Sequence, residues 1–186
     1  GKLRHNCEKS NLKFLVSVKK NLVLLGMMGV GKTTLGKIVA KKQNLKFIDT
    51  DLCIERKYSM KIPEIFKKKG EIIFRQWEAE EVVEALKKNG YVIALGGGAF
   101  LNKKVRSMIL KYSTSIWLDI NLTKINERVK WGKKRPLLNN KNNQIKINKL
   151  YYERKNIYKL AKYKINCNNL NKKDIVTKII NFYEKQ

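Results

Sequence analysis

Asn21-Leu22-Val23-Leu24-Leu25, followed at once by Gly26-Met27-Met28-Gly29-Val30-Gly31-Lys32-Thr33, is the stretch that decides how the rest of the chain is read. The first five residues read as a buried strand. The next eight fit G-x-x-x-x-G-K-[ST], the phosphate-binding glycine loop, and Thr34–Lys41 continues in a helical pattern. Strand, glycine loop and helix is the order the motif needs. Its glycines let successive N–H groups turn inward on a phosphate, and the helix start adds unpaired N–H groups and the positive end of its dipole. In such a loop Lys32 reaches the β- and γ-phosphates and the Thr33 hydroxyl ligates Mg²⁺. The alternative is a glycine-rich turn that holds no ligand.

Outward from that loop, the chain alternates strand and helix. Asn44-Leu45-Lys46-Phe47-Ile48-Asp49-Thr50-Asp51 reads as a second strand ending in two aspartates, which point the same way if the backbone stays extended. Beside a phosphate loop they make a cation and acceptor-hydroxyl station; otherwise they are solvent-facing loop residues. Leu52–Ser59 and a short segment with Pro63 in its first turn read as helices, followed by a longer helix from about Glu71 to Lys88. Arg75 falls between Phe74 and Trp77 on the apolar side of that helix. It needs an anionic partner, which the pattern leaves as either a ligand or Glu71 or Glu78. Tyr91–Leu95 is a buried strand ending in Gly96-Gly97-Gly98, where bare backbone invites close approach of a ligand; a flexible turn is the other reading.

Asn102–Tyr112 reads as a helix, Ser115–Ile120 as a strand and Leu122–Trp131 as a helix. Gly132-Lys133-Lys134-Arg135-Pro136-Leu137-Leu138 then opens an Asn- and Lys-rich loop of the length that lids have, about 131–145 in all. Trp131 stands at its start with no assigned role. Ile147–Ala161 returns to helix with Arg154 and Tyr158 one turn apart, and Lys164–Cys167 and Asp174–Tyr183 close the chain as strand and helix. Residues 1–20 read as a basic N-terminal extension, and 21–186 as a single α/β domain on a parallel sheet.

Composition sets the outer bounds. With 186 residues and 43% hydrophobic content the chain can bury a core, and no apolar run approaches the roughly 20 residues of a membrane span. The net charge of +27 favours anionic partners, yet the lysines are spread along the chain among Asn and Ile, which reads as a solvated surface and loose polyanion attraction. Cys7, Cys53 and Cys167 are widely spaced, and His5 is the sole histidine, so neither a zinc site nor a disulfide framework is indicated. A reducing, cytoplasmic setting is expected. A plastid form cut from a longer precursor stays open.

Taken in order, G-M-M-G-V-G-K-T at 26–33, D-T-D at 49–51, G-E-x-x-F-R-x-x-E at 70–78, G-G-G at 96–98, R-P-L-L at 135–138 and R-x-x-x-Y at 154–158 resemble the shikimate kinases. The resemblance implies a three-layer α/β/α fold with a five-stranded parallel sheet in the order 2-3-1-4-5, of the nucleoside monophosphate kinase type, with a mobile lid. It implies transfer of the ATP γ-phosphoryl group to the 3-hydroxyl of shikimate. It makes Lys32, Asp51 and Arg135 the catalytic residues. Gly29, Val30, Gly31, Lys32, Thr33, Thr34, Arg128 and Arg135 would contact nucleotide, with Arg128 stacked on adenine. Asp51, Arg75, Gly96, Gly97, Gly98 and Arg154 would bind shikimate, the two arginines on its carboxylate. Thr33 would ligate Mg²⁺ directly and Asp49 through water. The implied partners are ATP and shikimate, with no specific nucleic acid or membrane, and the implied working unit is a monomer. Rival readings are another small-molecule kinase on the same scaffold, such as a gluconate or nucleoside monophosphate kinase, and a non-catalytic polyanion-binding protein.

Overall fold

The computed structural model describes residues 18–131 and 141–185. Five strands, β1 (Asn21–Leu25), β2 (Lys46–Asp49), β3 (Tyr91–Ala94), β4 (Ser113–Asp119) and β5 (Tyr163–Asn166), form one sheet in the order β2-β3-β1-β4-β5. Every pairing is parallel. Parallel strands need crossovers, and helices supply them: α1 (Lys32–Gln43), α2 (Thr50–Tyr58), α3 (Ile62–Lys69), α4 (Glu71–Leu86), α5 (Lys103–Tyr112), α6 (Leu122–Trp131), α7 (Lys141–Tyr158) and α8 (Lys172–Glu184). β1 lies in the middle of the sheet, covered on both faces, so all five of its residues are buried.

The main core joins β1, β3 and β4 to α1, α5, α7 and α8, with Trp117, Phe100 and Tyr158 among its largest fully buried side chains. A second, smaller core sits under α2, α3 and α4, built on Ile54, Ile65 and Phe74 and flanked by a stacked Tyr58–Trp77 pair whose ring centroids are 3.5 Å apart. No helix among the described residues is long and apolar enough to cross a membrane.

Three sequence readings are revised. β2 ends at Asp49, which caps α2 by accepting from the Leu52 N–H at 3.1 Å, so Asp51 lies in the first turn of a helix and not on an extended strand. α7 starts at Lys141, six residues before the apolar periodicity becomes visible; Asn143 is buried there, one turn ahead of Ile147. Lys19 and Lys20, placed by sequence in the extension, are tied to the domain. The Lys19 carbonyl accepts from Gly90 N–H at 2.8 Å, and that of Lys20 accepts from the Tyr183 hydroxyl at 2.6 Å. Arg135 and the R-P-L-L segment lie outside the described residues.

Candidate active site

In a parallel sheet the carboxyl ends of all the strands open on one edge, and there three loops meet. The glycine loop follows β1, with Gly26, Gly29 and Gly31 all at positive φ. At Gly26, with φ +143°, an added Cβ would also run into the Leu118 carbonyl, so a glycine is required there on both grounds. Lys32, Thr33 and Thr34 begin α1 beyond the loop. The Lys32 ammonium donates to the carbonyls of Gly26 at 2.5 Å and Met27 at 3.1 Å, folding back over the loop it belongs to. Arg128, on α6, reaches the same loop from the other side and donates to the carbonyls of Gly29 and Val30, each at 3.2 Å. The nucleotide residues named from sequence on the described part of the chain therefore converge on one loop.

At the end of β2, Thr33 Oγ1 donates to Asp49 Oδ2 at 2.5 Å. A hydroxyl and a carboxylate side by side at the mouth of a phosphate loop are hard oxygen donors of the kind Mg²⁺ takes alongside phosphate oxygens, so these residues fit that cation.

The run after β3 is where the site takes shape. Each of its three glycines faces charged side chains. A Cβ on Gly96 would overlap Asp51 Oδ1 and come within 3.0 Å of Glu78 Oε2. One on Gly97 would stand 2.9 Å from an Arg154 Nη1, and one on Gly98 would overlap the Arg75 guanidinium, 2.7 Å from its Cζ. The glycines are not a loose turn. They leave room for an aspartate and two arginines to lie flat against backbone. Thr50, fully buried between the two aspartates, pins the run: its Oγ1 accepts from Gly96 N–H at 3.2 Å and donates to the Ala94 carbonyl at 3.4 Å.

Arg75 settles a point the sequence left open. It pairs with Glu78 at 2.8 Å and approaches Glu71 at 3.6 Å, while still lining a cleft of about 390 Å³ together with Gly98, Asn102 and Arg154. The glutamate pairing is the reading the structure shows, and it leaves the guanidinium on the cleft wall. Glu78 is buried, at 3% exposure, and burial pushes its carboxyl up, opposed by Arg75 and Arg154. Asp51 is raised from 3.8 to about 6, first by burial and then by the charges of Glu78 and Asp49, with Lys32 pulling it back down. Its Oδ1 is buried with no hydrogen-bond partner among the described residues, as is Arg154 Nε. Buried polar atoms are normally paired, so an acceptor and a donor without partners on adjacent glycines of one run are exceptions that call for an explanation.

The shikimate kinase family model matches residues 28–184. The chain belongs to the shikimate kinase family. A shikimate kinase of Sulfurihydrogenibium sp. (strain YO3AOP1) is 41% identical over 161 residues, 87% of this chain and 96% of the relative. The solved shikimate kinase from Acinetobacter baumannii in complex with shikimate superposes with a TM-score of 0.83 at 33% identity, covering 90% of this chain and 94% of that one. A gluconokinase from Sinorhizobium meliloti 1021, at TM-score 0.60 and 12% identity, shares the fold alone. The activity of the family is ATP-dependent phosphoryl transfer, and this member is a kinase.

Sequence reasoning passed over Glu78, Thr50 and Tyr158 as parts of the site. Signals existed for all three: Glu78 stands one turn after Arg75 in the same motif, Thr50 lies between the two aspartates, and Tyr158 follows Arg154 by one helical turn.

Proposed function

We propose that this shikimate kinase family member transfers the γ-phosphoryl group of ATP to the 3-hydroxyl of shikimate, giving shikimate 3-phosphate and ADP, with shikimate lying on the Gly96-Gly97-Gly98 floor. The observation that carries this reading is the glycine run itself, on which Asp51, Arg154 and Arg75 each occupy the space of one missing Cβ. Two arginines lining one cleft match a planar carboxylate, which a guanidinium grips through paired N–H groups. The aspartate between them and the phosphate loop faces the acceptor hydroxyl.

Asp51, at about 6, is mostly ionised at neutral pH, yet close enough to that range to take a proton as the hydroxyl attacks. Its Oδ1, without a partner among the described residues, is the atom offered to that hydroxyl. Lys32 leaves its loop carbonyls for the β- and γ-phosphates as nucleotide enters, and the loop N–H groups hold the remaining phosphate oxygens. Thr33 and Asp49 would hold Mg²⁺, the aspartate through water; the cation supplies positive charge to the phosphates. Arg128 is positioned at the loop's outer side for the adenine, and Arg135 is assigned to the γ-phosphate.

The test is steady-state kinetics of Asp51→Asn with Mg·ATP and shikimate. Turnover slowed about a hundredfold or more, with ATP affinity within about threefold of the parent, supports the reading, since positioned proton transfer contributes about that much. A full-rate variant removes Asp51 from the chemistry.

A further inference from the structure

Tyr158 ends α7 one turn after Arg154 and is fully buried, with no part yet in nucleotide binding or in the lining of the cleft. Its surroundings are specific. The phenol hydroxyl donates to the Gly97 carbonyl at 2.5 Å. A phenol has one proton, so towards Arg154, whose Nη1 lies over the same Gly97, the oxygen can only accept. The Met27 sulfur lies 3.9 Å from that oxygen, and the ring packs against Trp117 with centroids 5.8 Å apart. Burial raises the hydroxyl above its ordinary range, against the pull of the Arg154 charge, so it stays a neutral phenol across the working pH range.

We propose that Tyr158 is a positioning residue for the carboxylate clamp: by donating to the Gly97 carbonyl while accepting from Arg154, its hydroxyl sets where the guanidinium lies over the glycine floor. The inference rests on the assignment of Arg154 to the substrate carboxylate. The geometry explains why the constraint is needed. Arg154 is an arginine buried at 7% exposure whose Nε has no partner among the described residues, and whose Nη1 lies over Gly97. Without a fixed acceptor, a long side chain above bare backbone has several rotamers to choose from. Tyr158 supplies that acceptor from a ring locked by Trp117, and ties it to the very residue the guanidinium covers. The same oxygen lies beside the phosphate loop at Met27, so the clamp and the loop are referenced to one buried point.

The consequence is selective. Tyr158→Phe keeps the ring and its packing and removes only the hydroxyl. Shikimate KM is expected to rise about ten- to a hundredfold, the range set by one hydrogen bond to a charged group, while kcat at saturation and the Kd for ATP stay within about threefold. The methyl ester of shikimate, which has no carboxylate to be clamped, is the second probe: the variant and the parent should use it with equal KM. The double variant Arg154→Ala with Tyr158→Phe should bind shikimate no worse than Arg154→Ala alone, because the tyrosine acts through the arginine. Thermal melting of each variant reports folding separately. Equal loss for shikimate and its methyl ester, additive losses in the double variant, or an unchanged shikimate KM in Tyr158→Phe would each overturn the proposal. If Arg154→Ala itself leaves shikimate KM unchanged, the clamp assignment fails first.

Discussion

The Asp51 carboxyl sits where ionisation is costly, and two measurable effects follow. Its pKa in the folded protein, about 6 against 3.8, lies above the unfolded value, so the native state binds more protons than the unfolded chain between those limits. Stability contributed by this group is therefore present at low pH and falls as pH rises from about 4 to 6. Asp51→Asn should stabilise the protein at pH 7, by on the order of 3 kcal/mol and so with a higher midpoint of thermal unfolding, and should have little effect near pH 4; a lower midpoint at pH 7 would contradict the burial argument. In the parent, kcat/KM for shikimate should fall as pH drops below about 6, where the base becomes protonated. Gly98 gives a complementary case. Its φ is −100°, which any residue adopts, so Gly98→Ala should fold normally. The new methyl meets the Arg75 guanidinium, the movable end of a side chain, and should raise shikimate KM by displacing it while leaving the melting temperature and ATP affinity unchanged. The sequence exposed the residue types of this site but not which glycine served which side chain, because that depends on how helices α4 and α7, well separated in the chain, meet over the glycine run.

One carboxylate at the start of α2 joins fold and chemistry: Asp49 caps the helix through Oδ1 and accepts from Thr33 through Oδ2. Asparagine caps a helix about as well as aspartate, whereas alanine does not. Asp49→Asn should thus keep the parent's melting temperature but need more Mg²⁺ for tight ADP binding in calorimetry. Asp49→Ala should lose about 1 kcal/mol of stability as well. Equal Mg²⁺ dependence in Asp49→Asn and the parent would take Asp49 out of the cation site. The cap was legible in principle, as an aspartate three residues before Leu52, but apolar Phe47 and Ile48 leading into Asp49 and Asp51 read as one strand through to the second aspartate. At α7 the difficulty was different. Lys and Asn between 141 and 146 hide the helical period, and its first buried member, Asn143, is polar, so only from Ile147 does the pattern show.

The molecule is organised as two packing units under one site: the main core holds the phosphate loop, and the small core under α2, α3 and α4 carries Asp51, Arg75 and Glu78. Ile65 is fully buried in the small core, and Ile65→Ala should cost about 2–5 kcal/mol. Hydrogen exchange should speed up in α3 while the amides of β1 and β4 keep their protection; uniform acceleration would mean one core, not two. The alternation of strands and helices made the parallel sheet legible, but its order depends on pairings between segments far apart in the chain, Leu22 with Val92 and Asn21 with Ser113, and came only through the resemblance. The charge of +27 says little about the site itself, where a handful of cations, Lys32, Arg75, Arg128 and Arg154, lie in the cleft or on the glycine loop. The most direct measurement is ADP release from Mg·ATP in parallel reactions with shikimate, gluconate, AMP and no acceptor. The account predicts rapid release with shikimate alone and shikimate 3-phosphate as the product. Turnover with gluconate or AMP and none with shikimate would contradict it.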